Sequence, residues 1–247
     1  MIKKKRGLDV KILLIIPAYN EEASILNTIR KVNDFRGSFP YTLDYVVIND
    51  GSTDGTADIL KNANANSISL ITNMGIGGAV QTGYRYAKEK DYDIAIQFDG
   101  DGQHDINSLE NLVNPILNQQ ANLVVGSRFM GDKLADFQTT GMRRFGINII
   151  SFFIKLVTGK KIFDTTSGYR AADKSVIQFF SHRYPVKYPE PESIVHILKK
   201  KLFVEEVAVN MFERNGGESS ITPLKSIRYM SDVCSSIIIS ALMKEED

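Results

Sequence analysis

Four short apolar runs constrain this chain most, because each one ends in a polar turn. Leu13-Leu14-Ile15-Ile16 runs into Pro17-Ala18-Tyr19-Asn20, and Tyr45-Val46-Val47-Ile48 runs into Asn49-Asp50-Gly51. The run at 67–71 opens on a glycine-rich loop at 72–78, and the run at 94–98 opens on Asp99-Gly100-Asp101-Gly102-Gln103-His104. Apart from Ser67-Ile68-Ser69-Leu70, none alternates apolar with polar, as a strand with one wet face would. Helical patterns separate them, at 21–35, 56–62, up to 90, and 108–118. Buried strands alternating with helices predict an α/β fold with a mostly parallel central sheet and helices on both faces. Such sheets bind ligands at the carboxyl ends of their strands, so the four turns should meet on one edge.

The first strand is expected over 10–16, stopped by Pro17, with Asn20 capping the helix that follows. A further strand is expected at 122–125. The second half is less regular. Residues 146–157 form a very apolar helical stretch, 193–199 a helix opened by Glu192, 202–209 a strand, and 227–243 a second apolar helix. The stretch at 146–157 is apolar over more than one face, which suits either burial or a membrane interface. No run reaches the ~18–20 apolar residues of a membrane span, so no transmembrane helix is expected.

The 247 residues carry a formal net charge of +1, so no global field favours nucleic acid and none is expected as a partner. Basic residues nevertheless cluster at Lys3-Lys4-Lys5-Arg6, Arg143-Arg144 and Lys199-Lys200-Lys201. Solvated faces account for most such runs, and an anionic membrane surface is the sharper reading. The lone Cys234 cannot form an internal disulfide; its apolar helical setting reads as a packing thiol.

The turn at Asp99-Gly100-Asp101-Gly102 is the chemical centre of the sequence. Glycine lets the turn aim both carboxylates at one point. Hard oxygen ligands on such a turn suit Mg²⁺ or Mn²⁺ shared with diphosphate oxygens, and Gln103 adds a neutral oxygen within reach. A plain surface turn is the competing account.

Taken together, Ile16-Pro17-Ala18-Tyr19-Asn20-Glu21, Asn49-Asp50-Gly51-Ser52-Thr53-Asp54-Gly55-Thr56, Asn73-Met74-Gly75-Ile76-Gly77-Gly78-Ala79 and the Asp99–His104 turn resemble the family-2 glycosyltransferases. Within that family the chain is most similar to polyprenyl-phosphate sugar synthases of the dolichyl-phosphate mannosyltransferase type. That closer likeness rests on Asp164-Thr165-Thr166-Ser167-Gly168-Tyr169-Arg170, on Glu192, and on Arg214-Asn215-Gly216-Gly217-Glu218-Ser219-Ser220. Ser220 stands where the group usually has lysine, and Asn49 replaces the first acid of a usual Asp-Asp pair.

The resemblance implies a GT-A, Rossmann-like fold over residues 1–225 and a C-terminal apolar helix at 226–247 for membrane or partner docking. It implies that Pro17, Tyr19, Glu21 and Asp50 hold the nucleoside, and that Gly75, Gly78, Asp99, Gly100, Asp101 and Arg128 complete the nucleotide-sugar site. Asp99, Asp101 and Gln103 would hold the metal. Arg170, Arg214 and Ser219 would meet the acceptor phosphate, and Asp101, Asp164, Glu192 and Arg170 would carry the chemistry. The expected activity is inverting transfer of one hexose, of the glucose or N-acetylglucosamine type, from a UDP-linked donor to polyprenyl phosphate. That chemistry serves cell-surface glycan assembly at the inner, cytoplasmic face of the membrane, where a small membrane-protein subunit is a conceivable partner. Transfer to a sugar hydroxyl is the alternative within enzymes, and a nucleotide-sugar-binding scaffold the alternative outside them. His104, His182 and His196 are expected to be structural, and Asp54 a helix cap.

Overall fold

The computed structural model describes residues 10–130, 141–212 and 223–243. Among these residues seven strands form one sheet in the order β3-β2-β1-β4-β6-β5-β7. They are β1 (Lys11–Ala18), β2 (Thr42–Asn49), β3 (Ser67–Ser69), β4 (Ile94–Gln97), β5 (Leu123–Ser127), β6 (Arg170–Asp173) and β7 (Val204–Ala208). The pairs β1–β2, β1–β4, β2–β3 and β5–β7 are parallel, while β6 runs antiparallel to both β4 and β5. The sheet is therefore mostly parallel, as its apolar runs predict, with one reversed strand that the sequence reading did not place.

Among the described residues eight α-helices cover it: α1 (Ile25–Arg36), α2 (Thr56–Asn62), α3 (Gly75–Glu89), α4 (Leu109–Leu117), α5 (Gly141–Thr158), α6 (Lys174–His182), α7 (Pro189–Lys199) and α8 (Pro223–Leu242). Strand residues alternate between two buried clusters. Ile12, Leu14 and Ile16 pack with Ile29, Val32, Leu60 and Leu112 from α1, α2 and α4. Leu13 and Ile15 pack on the other face with Val80, Tyr84, Ile150, Ile154, Phe180, Ile194 and Ile237 from α3 and α5–α8. Both faces are dry, so unbroken apolar runs were the right signature.

Pro17 does not stop β1; it pairs opposite Ile48 within the strand. In a parallel ladder alternate residues address alternate neighbours. Ile15 accepts from Phe98 on the β4 side, so the missing N–H of Pro17 also faces that side, where β4 has already ended at Gln97. A proline inside a central strand thus costs no ladder bond.

α1 begins at Ile25, after a turn, and Asn20 does not cap it. Asn20 sits at φ 55°. Its Oδ1 instead accepts from Thr53 N–H at 2.9 Å, and its own N–H donates to Ser52 Oγ at 3.0 Å. The residue ties the first polar turn to the second. Asp54 does work at a helix start: its Oδ1 accepts from Thr56 N–H at 3.0 Å.

Candidate nucleotide and metal site

The carboxyl ends of β1, β2 and β4 and the start of α3 enclose a cleft of about 400 Å³. Pro17, Tyr19, Glu21, Asp50, Asn73, Gly75, Ile76, Asp99, Gly100 and Asp101 line it. All four turns therefore meet on one edge. Gly78 does not line the cleft: a Cβ there would meet Met74 Cβ at 2.5 Å, so its smallness serves the folding of Met74 over the first turn of α3.

Tyr19 is exposed at the lip of the cleft. Asp50 is buried, and its Oδ1 accepts from Met74 N–H at 2.7 Å, which pins the β2 turn to the α3 loop. Gly51 makes that contact sterically possible. It has φ +64°, and a Cβ there would lie 2.7 Å from Asn73 N and Thr72 C. Glu21 donates its N–H to Thr56 Oγ1 at 2.9 Å and accepts from Ser24 Oγ at 2.6 Å, so it braces the turn as well as lining the cleft. Asn49 is structural, with its amide on Ser69 Oγ and its carbonyl oxygen on Ser52 N–H.

The acidic turn is held from behind. Asp99 N–H donates to His104 Nδ1 at 3.0 Å. The ring proton therefore sits on Nε2, which lies 3.5 Å from Asp99 Oδ2. Burial holds the His104 pKa below its ordinary value, against the pull of Asp99 and Asp101. Its ring stacks on Tyr169 with centroids 4.4 Å apart, and the Tyr169 hydroxyl donates to Asp105 O at 2.9 Å. Gln97 Nε2 donates to Asp99 Oδ1 at 3.1 Å. Gly102 takes φ +78°, and Asp101 Oδ1 accepts from Gln103 N–H at 3.0 Å. Gln103 itself stands outside the cleft lining, and its carbonyl accepts from Phe212 N–H.

Asp99 and Asp101 fit a hard divalent cation, since both are carboxylates at the cleft wall. Among the described residues no group of three or more His, Cys, Asp or Glu stands ready as a complete cage. A site of this kind takes its remaining oxygens from water and substrate phosphates.

The structure corrects several expected roles beyond the cleft. Asp164 is fully buried and accepts from Arg128 N–H at 3.0 Å, Nε at 2.8 Å and Nη2 at 2.7 Å. A carboxylate so engaged is no base; it aims Arg128, whose Nη2 also reaches Thr166 Oγ1 at 2.9 Å. Glu206 of β7 fixes this segment, accepting from Phe163 and Asp164 N–H at 2.7 and 2.8 Å.

Arg170 is not an acceptor-phosphate ligand. It is buried, and its guanidinium donates to Ser167 O, Glu190 O and Ser193 Oγ at 2.6, 2.6 and 2.7 Å. It knits the turn before β6 to the start of α7. Glu192 is also misplaced by the sequence reading, because α7 begins at Pro189 and Glu192 faces α8, 3.4 Å from Ser240 Oγ. Glu190, two places earlier, does not line the cleft but feels the charges of Arg170 and Asp99. Burial pushes its carboxyl up, the Arg170 charge pulls it down, and the Asp99 charge raises it again. Its signal in the sequence was the Pro189-Glu190-Pro191-Glu192 run, whose helical phase could have separated the two acids. Arg214, Ser219 and Ser220 lie outside the described residues, as do residues 3–6.

Comparison with known proteins places the chain in a family. The family model described as Glycosyl transferase family 2 matches residues 13–180. A UDP-N-acetylglucosamine–dolichyl-phosphate N-acetylglucosaminyltransferase from Methanococcus voltae is 33% identical over 221 residues, covering 81% of this chain and 85% of that protein. An undecaprenyl-phosphate mannosyltransferase from Micrococcus luteus is 33% identical over 168 residues, 66% of each chain. In fold, the chain is similar to glucosyl-3-phosphoglycerate synthase from Mycobacterium tuberculosis, crystallised with Mn²⁺, UDP and phosphoglyceric acid. That likeness has a TM-score of 0.70 at 19% identity, over 96% of this chain and 81% of that one.

Proposed function

We propose that this chain, which belongs to glycosyl transferase family 2, moves one hexose from a UDP-linked donor to polyprenyl phosphate, with inversion at the anomeric carbon. Its glycosyltransferase activity follows from the family. The lipid acceptor follows the relatives that act on dolichyl and undecaprenyl phosphate. The observation that carries the acceptor reading is the pairing of Asp164 with Arg128. A sugar hydroxyl needs a base to remove its proton. A lipid phosphate is already an anion and needs cations to place it. Asp164, the acid nearest to hand in the sequence, serves an arginine instead.

In this reading the uracil imide N–H donates to the Asp50 oxygen that Met74 does not use, and Tyr19 covers the ring. Asp99 and Asp101 are the residues that would hold Mg²⁺ or Mn²⁺. A bound divalent ion there supplies Lewis-acid stabilisation of the leaving nucleotide. His104 and Gln97 keep Asp99 oriented, and burial keeps His104 from competing as a second cation. In this reading Arg128, aimed by Asp164 and outside the cleft lining, would meet the incoming phosphate. Because that acceptor stays in lipid, the protein works peripherally on the inner face of a membrane. Among the described residues no helix is long and apolar enough to cross one. Supply of sugar phospholipids to cell-surface glycan assembly is the role this chemistry fits.

Glu190 supports a second reading, transfer to a sugar hydroxyl, since a carboxyl raised by burial near Asp99 could act as base. The deciding experiment incubates the chain with a panel of labelled nucleotide sugars, Mn²⁺, and either polyprenyl phosphate or oligosaccharides. Label extracted into the organic phase, lost on chelation and about 10²-fold or more reduced in Asp101→Asn, is the expected result. Label confined to oligosaccharide would establish the second reading.

A further inference from the structure

We propose that the segment 209–212, which leaves β7, clamps the acidic turn, and that Asn210 is the positioning residue that sets Asp101 for the metal. That role rests on reading Asp99 and Asp101 as metal ligands; the contacts themselves do not. β7 is the outermost strand of the sheet, and β6 and β5 separate it from β4. The chain nevertheless returns from β7 to the turn that follows β4. Phe212 N–H donates to Gln103 O at 2.8 Å, and Asp105 N–H donates to Asn210 O at 3.4 Å. Between these bonds His104 and Met211 form an antiparallel bridge.

Asn210 makes the closing contacts. Its N–H donates to Ser108 Oγ at 3.1 Å, and its side-chain amide donates to Asp105 Oδ2 at 3.3 Å. The other Asp105 oxygen accepts from Asn107 N–H and Nδ2 at 3.1 and 2.9 Å. Asp105 is buried, and both its oxygens meet protein donors, so it anchors the turn and adds no acid to the cleft lining. A glycine makes the crossing possible. At Gly126 of β5 a Cβ would lie 2.9 Å from both Val209 Cγ1 and Cγ2, and 3.1 Å from Tyr169 O. Val209 passes close over that gap, still donating its N–H to Ser127 O at 3.3 Å.

The clamp reaches the metal acid through one residue. Gln103 is held by both its main-chain groups: the carbonyl accepts from Phe212, and the N–H donates to Asp101 Oδ1 at 3.0 Å. Asp99 is fixed separately, by Gln97 and His104. Gly100 and Gly102 flank Asp101, and Gly102 takes φ +78°. A turn so rich in glycine samples many arrangements when nothing holds it, and a metal that must order it binds less tightly. The clamp supplies that order beforehand. Its loss therefore falls on metal affinity more than on the fold.

To test this, Mn²⁺ is titrated into the full chain with UDP present, and unbound Mn²⁺ is read from its electron paramagnetic resonance signal. Urea unfolding and metal-free UDP binding are measured alongside. Asn210→Ala removes the amide from Asp105, and Gly126→Ala pushes Val209 from the other side without removing a polar group. Both should weaken Mn²⁺ binding about tenfold, leave metal-free UDP binding unchanged and recover the wild-type kcat as Mn²⁺ is raised. Asn66→Ala is the control, since its amide donates to Tyr45 O at 2.7 Å and Tyr86 Oη at 3.2 Å, outside the cleft lining. It should lower the urea midpoint and leave Mn²⁺ binding as in the wild type. Unchanged Mn²⁺ affinity in Asn210→Ala and Gly126→Ala, with only the urea midpoint lowered, would overturn the proposal. So would equal weakening in Asn66→Ala. A wild type that binds UDP but no Mn²⁺ would sink the metal reading itself, and the clamp's role with it.

Discussion

Glu190 and Glu192 stand two places apart on α7, and about 200° of helical turn sends them to opposite sides. One feels the charges of Arg170 and Asp99, and the other lies 3.4 Å from Ser240 Oγ. Glu190→Gln should lower kcat about tenfold if the carboxyl only orients the donor sugar, whereas a general base would cost about 10²–10⁴-fold. Glu192→Gln should change neither, so initial rates of the two variants measure the difference. Asp164→Asn leaves Arg128 poorly compensated in a buried place, and should cost about 3 kcal/mol in urea unfolding. Asp54 contributes in a different way. Slight burial raises its pKa, but bonds from Thr56 and Glu22 outweigh that and leave it below the ordinary value. Its folded pKa is depressed, so its stabilisation is complete above the unfolded value and is lost as pH falls through the folded one. The urea midpoint of Asp54→Asn should therefore approach that of the wild type in acid and fall below it near neutrality. Residue types were legible at this scale, because carboxylates after buried strands announce a site. Orientation was not: Arg170, Asp164 and Glu192 carry charges that attract functional readings, and only packing reveals that each is already engaged.

At the scale of elements, the polar turns act as spacers between strands. Asn20 joins the first to the second, and Asp50 joins the second to the start of α3. Gly51→Ala would force a Cβ into the Thr72–Asn73 backbone at positive φ. That change should weaken UDP binding about tenfold by calorimetry, with a smaller loss of stability, because it parts the two walls of the cleft. Strands β1, β2 and β4 were legible from their apolar runs. β6 was not, since Arg170-Ala171-Ala172-Asp173 has no β-branched residue and its place is fixed by pairing with β4 and β5. The start of α1 was misread because Asn20 has a cap's chemistry but spends it on a neighbouring loop. The apolar stretch around 146–157 was read as buried or membrane-facing, and the helix has an inner face that is buried and an outer face that is not.

For the whole molecule, the same sheet edge that gathers the nucleotide turns also carries the exit of β5, where Arg128 and Phe129 meet Arg144 of α5. The donor cleft and the Arg128 segment thus lie at one edge of the sheet. The fold class was legible because a sheet dry on both faces leaves unbroken apolar strands and little else produces that pattern. The arrangement of α5, α7 and α8 was not, because helix-on-helix contacts depend on phase and crossing rather than on composition. The central claim is that the acceptor atom is a phosphate oxygen. ³¹P NMR of polyprenyl phosphate incubated with the chain, Mn²⁺ and its UDP-sugar measures this directly. The account predicts that the phosphomonoester signal is replaced by that of a glycosyl phosphodiester. An unchanged monoester, with the sugar instead on a saccharide hydroxyl, would contradict it.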